Sequence, residues 1–542
     1  MSRSTPCSLL LTLPLLLSAS GCAPLQLARP TAPAAGSQTV PGRLIVLYRD
    51  SSIPADADRL ASAAGARVVA HLQRLGLSTL EVSPADEPQT IAALSADPQV
   101  AAILHDRYIT APALLLRATA LEPSSHASED TTTSLRDRLL HAPIQPSTTQ
   151  SAAPSPIPTD SSYNSPQGWA VRQAGGYGDN IPGGPSTGPW NASLGAGVRI
   201  AILDTGVDEH HPDIAPNLAY NLSEVNQDAQ AGLPSPCDDG SPQDQQGHGT
   251  WTASLAAGAL GAGTGETIGV APQATLLNIK VLERLPASGV SDPVQACEAG
   301  QPGGLLSWVL QGIEDALAQK ADIIDLSLGT VVDLSTGEGA GWKAAFDQIT
   351  YAATQSGAVL IAADGNDSLN FSSGSLIELP AQARGVLPVV ASTNPDCAEN
   401  LTAGATCAPG PVTRPFYSNY GTNLDAIAAP GGSYPEGPQE ESATGASGWI
   451  YGACSSGLAN TTDGLPANGA SFGCFNQGHA AYAQAMGTSA SAALVAGAAA
   501  ILRATHPAWT ATQLIDALRS SATPSASLTE PQLNLPAALA LP

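Results

Sequence analysis

Three short segments of this chain carry side chains able to do acyl-transfer chemistry. In Ile200-Ala201-Ile202-Leu203-Asp204-Thr205-Gly206 a carboxylate ends an apolar run, and the following glycine allows a tight turn. Gly247-His248-Gly249-Thr250 opens a stretch of small residues, so the imidazole stands unobstructed at an expected helix start. Gly487-Thr488-Ser489-Ala490-Ser491 precedes a helical pattern over 492–503. A helix start offers backbone N–H groups and a positive dipole end, which suit an oxygen that becomes negative during reaction. Each segment alone has an ordinary structural explanation: a strand-end cap, a surface histidine, a helix cap. A cap accounts for one hydroxyl of the third segment, but not for the glycine before it or the small residues around it.

The order of the three settles their joint meaning. Asp, then His, then Ser is the subtilisin order of triad residues, distinct from the chymotrypsin and α/β-hydrolase orders. The segments DTGVD, GHGT and GTSAS resemble the subtilases, and the resemblance runs from about Trp169 to the C-terminus. It implies a serine endopeptidase with Asp204, His248 and Ser489 as triad and Asn366, in Ala363-Asp364-Gly365-Asn366, as oxyanion-hole side chain. It also implies that Ser327, Leu328 and Gly329, with Ala362, Ala363, Asp364 and Gly365, wall the substrate cleft. Strand-edge pairing of that kind grips extended peptides through their backbone. Three positions depart from the family pattern: Ala493 for the usual Pro, Trp251 for a frequent His, and Asp364 at a usually small neutral position. If Asp364 or Asp367 faces the pocket, Lys or Arg is favoured before the cut; if both face away, Leu, Phe or Met is.

The elements that must position these residues read as an α/β domain. Strands are expected over 198–203, 275–281, 323–328, 359–363, 387–391 and 424–428, with helices over 305–319, 342–355, 489–505 and 511–521. Strands apolar throughout, separated by helices, imply a doubly wound, mainly parallel sheet covered on both faces, with its site at the carboxyl ends of the strands. Ahead of it, residues 43–110 follow a β-α-β-β-α-β order, a small ferredoxin-like α+β domain. The resemblance makes this segment an inhibitory propeptide; a permanent accessory domain is the alternative. Residues 111–166 turn to Ser, Thr, Pro and Ala and read as a linker before the peptidase domain at 167–542.

The N-terminus carries Arg3, an apolar run over 9–17 and small residues before Cys22. Residues 1–22 thus read as a lipoprotein-type signal with Cys22 acylated, and 23–42 as a tether; an ordinary signal peptide is the alternative. An exported precursor is expected, bound to the cell envelope by lipid or extracellular after processing. Removing Cys7 and Cys22 leaves an even set of six cysteines, which suits disulfides in an exported protein. Short-loop closure favours Cys397 with Cys407 and Cys454 with Cys474, leaving Cys237 with Cys297. With 21 Lys and Arg against 46 Asp and Glu, the formal charge of −25 disfavours nucleic acid as partner. Partners are therefore protein or peptide substrates and the chain's own propeptide. The triad requires no cofactor; structural calcium is frequent in the family, and Cys237-Asp238-Asp239-Gly240 could contribute ligands. Stretches 283–303, 395–411 and 435–478 read as surface loops or insertions. Two rival readings are a serine ligase or hydrolase on non-protein substrates and a catalytically dead binding scaffold.

Overall fold

Strands without polar alternation need cover on both faces, and the chain supplies that cover in two ways. The computed structural model describes residues 39–110, 115–116, 160–163, 165–176, 188–225, 235–261, 266–298, 300–394, 412–433, 450–455 and 482–542. The signal segment, Cys22, most of the linker, Cys397, Cys407 and Cys474 lie outside the described residues.

The N-terminal domain comprises β1 (Thr39–Tyr48), helix Ala57–Ala63, β2 (Arg67–Leu72), β3 (Leu77–Glu81), helix Glu87–Ser95 and β4 (Val100–Thr110). Its strands pair antiparallel in the order β2-β3-β1-β4, the ferredoxin-like arrangement that the element order predicts. Leu44, Val46, Tyr48 and Leu80 close on Ala57, Ala61 and Leu94 of the domain's own helices. The opposite face, Ile45, Leu47, Leu72, Leu77 and Leu104, joins a core that contains Leu306, Leu310, Trp342 and Phe346 of the larger domain. Within the segment read as a linker, Leu115–Leu116 form a short strand, β5.

The larger domain continues with β6 (Arg199–Asp204), β7 (Leu218–Ser223), β8 (Thr275–Lys280), β9 (Glu283–Leu285) and β10 (Gln301–Leu305). Next come β11 (Ile323–Leu326), β12 (Thr330–Asp333), β13 (Val359–Ala363), β14 (Leu376–Leu379), β15 (Val386–Ser392) and β16 (Ile427–Pro430). The last strands are β17 (Ile450–Ala453) and β18 (Tyr482–Met486). Seven of them form a parallel sheet in the order β16-β15-β13-β11-β6-β8-β7. Ile200 and Ile202 of β6 meet helices His248–Ala257 and Thr488–Thr505 in one core, whereas Ala201 and Leu203 meet helices Leu306–Ala318 and Gly337–Gln355 in the other. Both faces are apolar because both are covered. The chain runs from β6 outward to β7 and β8, then crosses to β11 on the other side. Its switch point therefore falls between β6 and β11, where open sheets of this kind place ligands.

Three connections differ from expectation. Residues 283–303 are a surface loop only in their middle, where 288–293 are exposed: at the ends β9 and β10 form a hairpin, and Glu283 and Arg284 are fully buried. The hairpin is held in because β10 pairs with β4, Gly303 opposite Thr110 and Leu305 opposite Tyr108, which joins the two domains in one six-stranded sheet. A disulfide joins Cys237 to Cys297 beside it, and Cys454, buried after β17, is also disulfide-bonded. Upstream of residue 167, Tyr163 already stacks on Trp190 with ring centroids 5.0 Å apart, and the Ser162 amide donates to the Glu266 carbonyl at 3.0 Å. Finally, β5 pairs antiparallel with β18, Leu115 opposite Met486. Among the described residues one helix, Thr488–Thr505, is long and apolar enough to cross a membrane. All its residues from 488 to 502 are buried in this core, which accounts for the apolarity.

Candidate active site

Asp204 is the last residue of β6 and is fully buried. Its carboxylate accepts from His248 Nδ1 at 2.7 and 2.8 Å, from the Thr205 amide at 2.7 Å and from Thr252 Oγ1 at 3.3 Å. His248 opens helix His248–Ala257, with Gly247 in the left-handed region at φ 111° as its N-cap. That backbone favours glycine. Gly249 lies so close to the Gly206 carbonyl and the Asp204 Cβ that a methyl group could not fit. The flanking glycines thus bring the imidazole onto the carboxylate.

Helix Thr488–Thr505 packs beside the histidine helix in the same core and carries Ser489 in its first turn. The Ser489 amide falls among the four that an α-helix leaves without an intrahelical acceptor. Asn366 follows β13, and its Oδ1 accepts from Thr488 N and Thr488 Oγ1, each at 2.9 Å. Because the Thr488 amide can only donate, the oxygen of Asn366 must face it and the amide end turns the other way. Ser327, after β11, donates to the Ser489 carbonyl at 3.1 Å. The predicted residues on β6, β11, β13 and the two helices therefore converge at the carboxyl edge of the sheet. His248 Nε2 and Ser489 Oγ are both buried with no hydrogen-bond partner among the described residues. The Ser489 Oγ to His248 Nε2 hydrogen bond that a formed triad makes is therefore absent from this structure.

Sequence reasoning missed Asp244. It accepts from Gln246 N at 2.9 Å, Gly247 N at 2.7 Å, Thr250 N at 2.9 Å, Thr250 Oγ1 at 2.7 Å and Thr205 Oγ1 at 2.9 Å. One carboxylate thus caps the histidine helix and ties it to the residue after Asp204. The signal was an Asp three residues before the N-cap glycine, a spacing no simple capping rule covers. Asp325, on β11 opposite Ile202 of β6, is a second omission. Burial, and then the charge of Asp204, push its carboxyl well above the ordinary range.

Trp251 is fully buried and donates through Nε1 to the Ile450 carbonyl at 3.2 Å. Asp364 is buried and accepts from Gln382 Nε2 at 3.1 Å; burial and then Glu530 raise its pKa well above normal. Asp367 is only partly buried, and burial raises its pKa too. Asp238 does not fit a calcium ligand, because Oδ1 takes Lys280 Nζ at 2.7 Å and Oδ2 takes the Arg284 amide at 3.2 Å. No cluster of three or more metal-binding side chains occurs among the described residues.

The two domains also meet through polar contacts. Asp106 of β4 accepts from the Ser307 amide at 3.0 Å at the start of helix Leu306–Ala318 and from Arg43 Nε at 3.3 Å. Farther along that helix, Glu314 accepts from Arg74 N at 3.0 Å and Arg74 Nη1 at 2.9 Å.

Fold and site together define an α/β protein with a buried Asp–His pair and a helix-borne serine at the carboxyl edge of a doubly wound parallel sheet. Residues 195–535 match the model of the subtilase family of peptidases, and the chain belongs to that family. Residues 27–103 match the fervidolysin N-terminal prodomain. Similar relatives include subtilisin J of Geobacillus stearothermophilus and subtilisin E of Bacillus subtilis (strain 168). Each is 29% identical over 329 residues, 61% of this chain and 61% of the relative's length. The chain thus spans about 61% of the length of these two relatives. Among solved structures, fervidolysin from Fervidobacterium pennivorans superposes with a TM-score of 0.55 at 19% identity, covering 94% of this chain and 62% of that one. The epidermin leader peptide processing serine protease of Staphylococcus aureus gives 0.54 at 17% identity, covering 92% and 97%. At such identities the likeness speaks for the fold.

Proposed function

We propose that the chain is a serine endopeptidase made as a propeptide-inhibited precursor, with Asp204, His248 and Ser489 as its triad. The observation that carries this reading is the buried His248–Asp204 pair, together with Ser489 in the first turn of a helix that packs in the same core as the histidine helix. His248 takes the Ser489 proton as Oγ attacks a peptide carbonyl, and returns it to the leaving amine when the C–N bond breaks. Water then attacks the acyl-enzyme by the same route, and the second product leaves with a free carboxylate. Asp204 holds the ring with Nδ1 protonated and stabilises the imidazolium. The Asn366 amide and the Ser489 N–H stabilise the oxyanion, a side-chain donor of this kind contributing about 3 kcal/mol.

The N-terminal domain at 43–110 acts as the inhibitor, since its β4 pairs with β10 and its apolar face lies in the peptidase core. Cutting in the linker at 111–166 then frees the peptidase domain at 167–542. Export follows from the segment at 1–22, and acylation of Cys22 tethers the precursor to the envelope while the released peptidase leaves it. Cys397 with Cys407 and Cys454 with Cys474 are the further disulfides of this reading. A fluorophosphonate probe together with Ser489→Ala tests it. Labelling confined to Ser489, and an Ser489→Ala precursor left uncut in the linker, are expected. Normal maturation of that variant without other proteases would falsify the triad.

A further inference from the structure

Between the two segments that flank the nucleophile helix lies a carboxylate that the chemistry above does not use. Glu378 of β14 is 3% exposed, and its Oε2 has no hydrogen-bond partner among the described residues. A methyl group placed on Gly329 would run into Glu378 Oε1, and one on Gly365 would meet Glu378 Oε2 at 3.2 Å. Those glycines are two residues after Ser327 and one before Asn366, the residues bonded to the start of the Ser489 helix. The carboxyl group therefore lies between both walls of the cleft, against backbone that has no side chain to cover it.

We propose that Glu378 forms the floor of the subsite for the side chain preceding the cut, and that this subsite takes lysine and arginine. The proposal rests on the peptidase reading above and adds a substrate class to it. A buried carboxylate without a partner is costly, and no cation acts on it among the described residues. The charged groups acting on Glu378 are Asp364 and Asp367, both acidic, with Glu530 acting on Asp364 in turn. From β12, the facing residue is Val331. A substrate ammonium or guanidinium supplies the missing charge, and desolvation strengthens the attraction. Asp364 Oδ1 accepts from Gln382, and it is Glu378, not Asp364, that a methyl group on Gly329 or Gly365 would meet, so the selecting group is Glu378.

Burial, then Asp364 and Asp367, hold the Glu378 carboxyl well above its ordinary range. A raised pKa leaves the floor neutral at low pH and charged at high pH. Discrimination in favour of a cation therefore grows as pH rises through that value.

The experiment uses the enzyme matured from the full-length chain and tetrapeptide nitroanilides ending in Lys, Arg, Leu or Phe. At pH 8 the kcat/KM ratio of Lys or Arg over Leu is expected to exceed one, to rise from pH 5 to pH 8, and to fall about tenfold or more in Glu378→Gln. Fluorophosphonate labelling shows that the variant is folded. Should it fail to label, the pH profile of the wild type decides. A wild-type ratio below one, a ratio flat with pH, or an unchanged ratio in a labelled Glu378→Gln variant overturns the floor assignment and leaves the peptidase intact. No hydrolysis together with no labelling of Ser489 overturns the peptidase reading and the subsite with it.

Discussion

The central sheet and the N-terminal sheet solve the same problem differently. Ile200 to Leu203 and Leu44 to Tyr48 are both runs buried on either face, yet the first is covered by helices of its own domain. The second borrows half its cover: Ile45, Leu47 and Leu77 pack in the core of helices Leu306–Ala318 and Gly337–Gln355, which belong to the peptidase domain. An antiparallel sheet of this size usually keeps one face wet. A domain that does not must expose apolar surface when its partner leaves, so its stability is conditional where that of the central sheet is intrinsic.

The largest test of this contrast removes apolar volume on each side. Leu387→Ala, in the central sheet, is expected to cost about 2–5 kcal/mol in precursor and mature enzyme alike. Leu77→Ala is expected to lower the melting temperature of the full chain while leaving unchanged the enzyme from which, on the proposed maturation, that strand has been cut. Equal loss in the mature enzyme for both would break the comparison. A smaller effect comes from the polar contacts. Asp106→Ala takes a carboxylate acceptor from the Ser307 amide and from Arg43, and Glu314→Ala removes the acceptor of Arg74. A buried donor left without its acceptor costs about 1–3 kcal/mol, which applies to the Ser307 amide, and the loss is smaller where the partner is half-exposed, as Arg74 is; either change should weaken inhibition by the N-terminal domain added in trans. The inhibition constant reads it, and Asp106→Ala should have the larger effect because that site is more deeply buried.

The smallest expected effect sharpens the intrinsic side. Asp364 follows a central strand with a pKa raised by burial, so its contribution to stability is complete below the ordinary aspartate pKa and is lost as pH rises through the higher folded value. Asp364→Asn should therefore melt near wild type at pH 4 and a few degrees higher at pH 8. Parallel melting curves at both pH values would show that the carboxyl is not held neutral by its surroundings.

The fold was legible because its signals are local. The strands over 359–363 and the helix over 511–521 have the limits that apolar runs and periodicity indicate, and the β-α-β-β-α-β order implies its own sheet. The hairpin at 283–303 was not legible: Glu283 and Arg284 look like surface residues, but Ser235, Asp238 and Gln245, some forty residues back, bond to them, and β10 pairs with a strand almost two hundred residues away. In the site, Asp204, His248, Ser489 and Asn366 stand out because glycines and small residues mark them locally. Asp244 and Glu378 carry no such mark.

What the sequence by itself determined is thus everything whose physical cause lies within a few residues: the helix start at His248, the turn after Asp204, the first turn at Ser489, the parallel sheet that carries them. Tertiary structure decided which carboxylates face which groups. Asp364 follows β13 but is buried and accepts from Gln382, whereas Glu378 lies in an apolar strand and comes up against Gly329 and Gly365 only because β14 pairs with β12. The direction and solvation of a charged side chain depend on neighbours far along the chain, and that dependence is what no local pattern records.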